Sequence, residues 1–256
     1  MKRLEYKYLV RAQDLAPLRR ALAPFLDTDA NAAAGGRGEY TVRSIYYDSR
    51  RFDYYHQKEA GILDRKKLRI RAYDLWHEEA MVFLEIKRKY DMRISKDRAP
   101  MLHRHLPQLL GSGQVDRYRT NSHLFPRAVE EANSFFFHLR RYGLHPTVLV
   151  SYEREAFFRK FNPALRITFD KNLRGLPFPD LDSLYSDQAP PTLPDHFILE
   201  IKFRASYPAW LKPILGDFRL ERMALSKYAL CLEAHQLPGK AFPTARSAPL
   251  RPRLFA

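Results

Sequence analysis

The chain has 256 residues, and its 44 Lys and Arg outnumber its 29 Asp and Glu, so the formal net charge is +15. A chain of this length can bury a substantial core, and so strong a positive charge predicts an anionic partner: phosphate chains, nucleic acid or an acidic membrane surface. Composition excludes an internal disulfide, because Cys231 is the only cysteine. No apolar run approaches the roughly 20 residues of a membrane span, so we expect no integral membrane segment.

The first eight residues, Met1–Tyr8, carry charges through the stretch where a signal peptide needs an apolar core. Cys231 lies in the apolar run 228–232, which predicts a buried thiol rather than a reactive one. These features indicate a reducing compartment, and we expect a cytoplasmic protein.

Hydrophobic periodicity predicts mainly short strands over the first hundred residues, with few helices between them. In chain order the predicted elements are a strand at 3–10, a helix at 13–24, a flexible loop at 30–38, a strand at 40–47, a short helix that Asp48 caps, a basic strand at 66–73, and strands at 81–89 and 92–98.

Between residues 100 and 145 the strand pattern stops, and a helix is predicted over 125–142. The remaining predicted elements are strands at 147–159, 165–170 and 196–203, helices at 208–218 and 226–235, and a basic, Pro-rich tail at 237–256. Strands grouped on both sides of a helical insert, without regular strand-helix alternation, predict an α+β protein with an antiparallel sheet or barrel.

Charged residues two positions apart recur on the predicted strands and alternate with apolar ones. The pattern is found at Glu5 and Lys7, at Lys67, Arg69 and Arg71, at Glu85 and Lys87, and at Glu200 and Lys202. Because successive side chains of a strand point to opposite faces, each strand has one apolar and one charged face. A barrel accommodates this pattern if the apolar faces pack against helices and the charged faces line a lumen filled by ligand and water.

These basic rows suit phosphoryl transfer, which requires reactants held in line and charge neutralised on the moving group. The strand with Lys67, Arg69 and Arg71 is the strongest candidate for a triphosphate cradle, and exposed strand charges are the alternative interpretation. A carboxylate in an anion-binding site needs a reason, and Glu200 has one if it binds a cation such as Mg²⁺ or Mn²⁺ or pairs with a basic side chain. The alternative interpretation is that Glu200 forms a purely structural ion pair with Lys202.

Eight spaced motifs between residues 3 and 233 resemble one known family. They are RLEYKYL at 3–9, SIYYD at 44–48, KLRIRAY at 67–73, FLEIK at 83–87, SYER at 151–154, LRITFD at 165–170, ILEIKF at 198–203 and LSKY at 225–228. Together they are similar to the catalytic domain of the vacuolar transporter chaperone (VTC) polyphosphate polymerases, which belong to the triphosphate tunnel metalloenzymes. The resemblance assigns residues 1–236 to a tunnel domain and leaves 237–256 outside it.

The resemblance implies an eight-stranded antiparallel β-barrel with flanking helices, a bound Mn²⁺ or Mg²⁺, and ATP and polyphosphate as partners. The terminal phosphate of the chain would attack the γ-phosphate of ATP and release ADP, with no covalent protein intermediate. No nucleic acid partner is expected, and the oligomeric state is left open.

The resemblance also implies roles for individual residues. The expected catalytic residues are Arg69, Arg71, Lys87, Arg154 and Arg166. The expected phosphate-binding residues are Lys7, Lys67, Lys96 and Lys227, with Lys67 chosen for its place on the basic strand and Lys96 the weaker ligand. Glu200 is the expected principal metal ligand, and Glu5 and Glu85 are second choices that could instead orient a neighbouring lysine.

Two other functions remain open from the sequence. In a tunnel-fold triphosphatase or polyphosphatase, water would replace the phosphate chain as the nucleophile. A non-catalytic polyanion-binding module would need no metal and would tolerate Glu200→Gln. The first strand has Glu-x-Lys at 5–7, where the adenylate cyclase and thiamine triphosphatase branch has Glu-x-Glu-x-Lys, which favours the polymerase branch.

Overall fold

A computed structural model describes residues 3–34, 36–90, 93–118, 124–204 and 207–238. In these ranges the strands are β1 (Arg3–Arg11), β2 (Leu26–Thr28), β3 (Glu39–Asp48), β4 (Asp64–Tyr73), β5 (Met81–Tyr90), β6 (Arg93–Leu102), β7 (His145–Arg159), β8 (Asn162–Pro177) and β9 (His196–Arg204). The helices are α1 (Leu15–Leu22), α2 (Ala30–Ala34), α3 (Asp53–Glu59), α4 (Leu106–Ser112), α5 (Ala128–Arg141), α6 (Leu211–Asp217) and α7 (Lys227–Ala234).

Eight of the strands form one continuous antiparallel sheet in the order β1-β9-β8-β7-β3-β4-β5-β6, and the short β2 pairs with β7 beside this path. The predicted antiparallel, eight-stranded α+β architecture with flanking helices is therefore confirmed. Within the described ranges no backbone ladder joins β1 to β6, so hydrogen bonds do not close the barrel there. Side chains cross this side instead, with Glu5 Oε2 on β1 lying 3.8 Å from Lys87 Nζ on β5.

The apolar strand faces point outward and are covered by helices, as the alternation predicts. Phe135 of α5 and Leu84 of β5 belong to one buried cluster, and Leu18 of α1 and Leu199 of β9 belong to a second. A third cluster contains Leu232 of α7. Full burial of each such side chain stabilises the fold by about 1.5–3 kcal/mol. Because the apolar faces are used on the outside, the charged faces are left to line the interior.

Asp48 ends β3 and caps α3, as predicted, and it also fixes α7. Its fully buried carboxylate accepts hydrogen bonds from the backbone N–H of Tyr54 (2.9 Å) and Tyr55 (3.0 Å). It also accepts a hydrogen bond from the Tyr228 hydroxyl at 2.5 Å. This one side chain therefore ties α7 to the end of β3 and the start of α3.

Some predicted boundaries differ from the structure. The segment predicted as a loop at 30–38 contains α2, where alanine-rich sequence favours a helix. The carboxylate of Asp29 accepts a hydrogen bond from the backbone N–H of Asn31 at 2.9 Å near the start of α2. Neither β2 nor α4 was predicted, because three and seven residues are too few for a clear periodicity.

The predicted tail at 237–256 lies outside the described residues except for Leu237 and Pro238. Among the helices that the structure describes, none combines the length and apolar character needed to cross a membrane.

Candidate active site

The charged strand faces converge on one cavity of about 810 Å³. Thirteen Lys and Arg residues and only two carboxylates, Glu5 and Glu200, line it. We call it the phosphate cavity. A concave site lined by one sign of charge concentrates the electrostatic field and attracts ions of opposite sign. Its predicted lining residues are Glu5, Lys7, Lys67, Arg69, Arg71, Lys87, Arg154, Glu200 and Lys227.

The basic strand β4 contributes three side chains two positions apart. Lys67 Nζ donates a hydrogen bond to Ser226 Oγ at 2.6 Å, and Arg69 NH1 donates one to the Tyr46 hydroxyl at 2.8 Å. Arg71 is 93% buried, with 7% exposed, and its Nε donates to Ser44 Oγ at 3.0 Å. Arg71 therefore keeps its charge uncompensated by any ion pair within the described part of the chain, as a phosphate ligand requires.

Lys67 shows most clearly that the cavity has an excess of positive charge. Burial lowers the pKa of this lysine well below its usual value, and repulsion from Lys7, Lys87 and Arg69 lowers it further. Bound anionic oxygens would offset that repulsion. The unliganded cavity is thus electrostatically unfavourable for its own cations and favourable for a polyphosphate.

Strands β1 and β9 place acidic and basic residues in alternation. Glu5 is paired with Lys202, and Lys7 with Glu200, so each carboxylate lies directly opposite an ammonium group. Lys7 Nζ lies 2.9 Å from Glu5 Oε1 and donates to the carbonyl of Leu225 at 3.1 Å. Burial alone would lower the pKa of Lys7, but Glu200 and Glu5 outweigh it and raise that pKa.

A second charged group lies where α7 meets β7 and β8. Arg154 Nε and NH2 donate to the two carboxylate oxygens of Asp170 at 2.6 and 2.7 Å. Lys227, the first residue of α7, forms an ion pair with Asp170 and lies 3.9 Å from Glu200 Oε2. Asp170 thus holds Arg154 and Lys227 side by side against the cavity.

Glu200 is the best placed candidate metal ligand. Burial would raise the pKa of Glu200, but Lys202, Lys7, Lys227 and Arg154 together hold it well below its usual value, so this carboxylate is ionised at neutral pH. No group of three or more His, Cys, Asp or Glu able to hold a metal ion occurs in the described ranges. Glu5 and Glu200 are diagonal neighbours across the β1-β9 pair and both line the phosphate cavity, so an ion such as Mg²⁺ or Mn²⁺ bound by them would need phosphate oxygens and water to complete its shell.

Three predicted site residues do not line the phosphate cavity. Glu85 is 1% exposed and contacts three cations: Arg69 NH2 at 2.6 Å, Lys96 Nζ at 2.5 Å and Arg98 Nε at 3.1 Å. Cations surround Glu200 as well, but Glu85 lies outside the phosphate cavity, away from the phosphate oxygens that would complete the coordination shell of a metal ion. Lys96 belongs to the same network. Arg166 NH2 donates to the buried Asp29 at 3.0 Å and to the Tyr40 hydroxyl at 3.2 Å. The roles assigned to these three residues remain predictions.

Sequence reasoning missed several lining residues. Lys202 follows Glu200 by two positions in the same Leu-Glu-Ile-Lys motif in which Lys87 follows Glu85, so the reasoning that made Lys87 a candidate applied equally to Lys202. Arg222 lies in an irregular segment, with its guanidinium 4.2 Å from the centre of the Tyr6 ring. No periodicity could have revealed it. The other missed basic residues are Lys58, Arg65, Lys66 and Lys89.

Comparison with known proteins gives the family. The model of the VTC domain matches residues 2–235. The chain belongs to the VTC domain family. This VTC-domain protein is also similar to a solved structure, that of a putative adenylyl cyclase from Hippeastrum with a dominant triphosphatase activity, at 14% identity and a TM-score of 0.46 over 95% of this chain and 98% of that one. No curated protein matches it.

Membership of the VTC family agrees with the resemblance carried by the eight sequence motifs, and the matched range covers every candidate site residue. Family membership, together with the antiparallel sheet around a basic cavity, supports an enzyme of polyphosphate-related chemistry.

Proposed function

We propose that this VTC-domain protein is a metal-dependent polyphosphate polymerase, which transfers the γ-phosphate of ATP to a growing polyphosphate chain. The observation that supports this best is the composition of the phosphate cavity, thirteen cations against two carboxylates. That is more positive charge than one nucleotide triphosphate neutralises. Two polyanions repel each other, so a site that joins them needs such an excess.

In this proposal the protein supplies position and charge and forms no covalent intermediate. Arg69, Arg71 and Lys67 on β4 bind the triphosphate, while Lys7, Lys87, Arg154 and Lys227 approach it from the other strands and α7. An oxygen of the chain's terminal phosphate forms a bond to the γ-phosphorus as the bond from that phosphorus to the β–γ bridging oxygen breaks, and ADP leaves with the electron pair. The cations that already surround this position stabilise the charge on the transferred group.

A divalent cation held by Glu200 and Glu5 would supply further neutralisation of the triphosphate and help to keep it in line. Burial and Glu200 would raise the pKa of Glu5, but Lys7, Lys87 and Lys202 outweigh them and lower that pKa. Since Glu200 is ionised too, neither carboxylate needs to lose a proton before binding. Lys202 forms an ion pair with Glu200, and its ammonium group lies 4.0 Å from Glu5 Oε2.

The test is a product analysis. Purified protein is incubated with γ-labelled ATP and Mn²⁺, and the product is sized on a gel. Labelled chains longer than the triphosphate are expected. Release of orthophosphate alone would show that water is the acceptor and would make the protein a tunnel-fold triphosphatase.

A variant pair tests whether the cavity carries the activity. Arg71→Ala is expected to lower ATP turnover by roughly 100-fold or more, the usual effect of removing one donor to a developing negative charge. Arg127→Ala, at the residue before α5, is the matched control, because that arginine is exposed and pairs only with Glu130 among the described ion pairs. Equal turnover in the two variants would remove Arg71 from the site, and a polyanion-binding module would show no turnover in either.

A further inference from the structure

Strands β4 and β5 show where the phosphate cavity ends. On β4 the alternating basic residues from Lys67 to Arg71 line the cavity, whereas Tyr73, the next residue on the same face, does not. On β5 the corresponding change occurs between Lys87, which lines the cavity, and Phe83, which does not. The cavity therefore ends where the basic side chains of these strands give way to aromatic rings.

Three rings on neighbouring strands contact one another at this end of the barrel. Tyr40 of β3 packs edge-on against Tyr73 of β4 with the ring centres 6.0 Å apart, and Tyr73 packs edge-on against Phe83 of β5 at 5.9 Å. We call these three residues the aromatic layer. Such distances are those of rings in direct contact, so neighbouring rings leave no passage between them.

Two arginines extend the aromatic layer across the interior. Arg166 NH2 on β8 donates a hydrogen bond to the Tyr40 hydroxyl at 3.2 Å, and Arg98 NH2 on β6 donates one to the Tyr73 hydroxyl at 3.1 Å. The Arg98 guanidinium also lies 3.6 Å from the centre of the Phe83 ring. The contacts thus run from β8 to β6, which are separated by four strands of the sheet. The interior of an eight-stranded barrel is narrow enough for side chains to fill it in this way.

The charges at the aromatic layer are already neutralised. Arg166 NH2 lies 3.0 Å from Asp29 Oδ2, and Arg98 Nε lies 3.1 Å from Glu85 Oε1. Both carboxylates are buried. A polyphosphate passing this layer would have to separate the two ion pairs and lose its hydration against apolar rings, both of which are unfavourable. In the phosphate cavity, by contrast, the excess of cations replaces that hydration.

The phosphate cavity opens at the other end of β4. The basic residues that line it there are Arg65 and Lys66 at the start of β4, Lys58 of α3 and Lys89 near the end of β5. Leu63, which directly precedes β4, is 64% exposed. We call this opening the mouth. A basic rim of this kind attracts anions from solution towards the cavity.

We propose that the aromatic layer is a closed floor of the phosphate cavity, so that ATP enters and the growing polyphosphate leaves through the mouth alone; this rests on the proposed function. Only the terminal phosphates of the chain lie in the cavity, and the rest extends from the mouth into solvent. The floor stops the chain at the depth of Arg71, which keeps its reacting end among the cations of β4. The interior of the barrel then sets no limit on the length of the product.

The experiment covers one end of the barrel at a time with a bulky polymer. Cys231 is buried, so a polyethylene glycol maleimide reacts with an introduced thiol. Leu63→Cys places that thiol at the mouth, and Leu75→Cys places it two residues after Tyr73, beside the aromatic layer. The two positions are matched, because Leu63 and Leu75 are 64% and 69% exposed. Each full-length protein, with and without the polymer, is incubated with ATP, Mn²⁺ and a labelled short polyphosphate, and the chains are sized on a gel.

The polymer at position 63 is expected to lower the initial rate of chain growth roughly 10-fold or more, because it covers the rim that attracts both anions. The polymer at position 75 is expected to leave that rate unchanged, and both variants without the polymer should match the wild type. Loss of chain growth on modification at position 75 would show that the chain passes the aromatic layer and would overturn the proposal.

Unslowed growth with the polymer at position 63 would also overturn the proposal, since the substrates would then use another opening, such as the side between β1 and β6. Absence of chain growth in the unmodified wild-type protein is a separate outcome. It would overturn the proposed function, and this inference with it.

Discussion

Replacing Glu85 by Gln removes a buried negative charge without changing the size of the side chain. The Glu85 carboxylate contacts Arg69, Lys96 and Arg98 within 3.1 Å. Breaking a buried ion pair on one side costs about 3–5 kcal/mol, because a charge is left uncompensated. Lys96 and Arg98 keep 38% and 28% of their side chains exposed, so water screens part of their charge. We therefore expect Glu85→Gln to lower the free energy of unfolding by about 3 kcal/mol, near the lower end of that range.

The loss would be measured as the difference in unfolding free energy from urea denaturation, followed by the fluorescence of the two tryptophans. Trp210 reports the fold well, since its ring stacks on Phe25 at a centroid distance of 4.2 Å. Glu130→Gln is the matched control: Glu130 pairs with Arg127 and is 71% exposed, and loss of such an exposed pair costs roughly 0–1 kcal/mol. Equal destabilisation by the two substitutions at neutral pH would refute the reasoning.

The stability loss caused by Glu85→Gln should depend on pH. Burial would raise the pKa of Glu85, but Arg69, Arg71 and Lys96 outweigh it and hold that pKa far below the usual value. The folded pKa is thus lower than the unfolded one, so the stabilisation is fully present above about pH 4.3 and is lost as the pH falls further towards the folded pKa. The stability difference between wild type and Glu85→Gln should therefore narrow below this pH. A stability difference between the two proteins that stayed constant below this pH would contradict a lowered pKa of Glu85 in the folded protein.

Three other outcomes follow from the site and its supports. Tripolyphosphate binding should raise the lowered pKa of Lys67 back towards the ordinary lysine value of about 10.4, because bound phosphate offsets the repulsion from the neighbouring cations. Binding should therefore take up protons at any pH between the two pKa values of Lys67. Calorimetry in two buffers over a series of pH values measures the uptake, and uptake that persisted in Lys67→Met would assign it to another group. Glu200→Gln should raise the Mn²⁺ concentration needed for half-maximal turnover at least tenfold, and an unchanged Mn²⁺ titration would place the metal elsewhere. Asp48→Ala should lower the free energy of unfolding by about 2–4 kcal/mol, since it removes a helix cap and leaves the Tyr228 hydroxyl without its buried partner. Urea denaturation measures the loss, and a loss below 1 kcal/mol would show that water replaces that partner.

The strand faces were predictable because their signal is local. Alternation at Lys67, Arg69 and Arg71 assigns all three side chains to one face of a strand, whatever the strand pairs with. The structure adds that Arg69 is held by Glu85 and Tyr46, whereas the side-chain hydrogen bond of Arg71 among the described residues goes to the neutral Ser44 hydroxyl. That difference depends on which strands are neighbours, which no spacing within one strand reveals.

Arg166 shows the limit of the same reasoning. Its motif and alternation match those of the other candidate ligands, yet its guanidinium donates to Asp29 and Tyr40 and does not line the phosphate cavity. Asp29 precedes a short helix in a segment predicted as a flexible loop. A carboxylate supplied from 137 residues away decides where this arginine points.

By itself the sequence determined the strand faces, the excess of positive charge and the family, because each of these depends on residue type and short-range order. Only the tertiary structure decided which cations are neutralised and which remain available, since Coulomb interactions depend on distances between strands far apart in the chain.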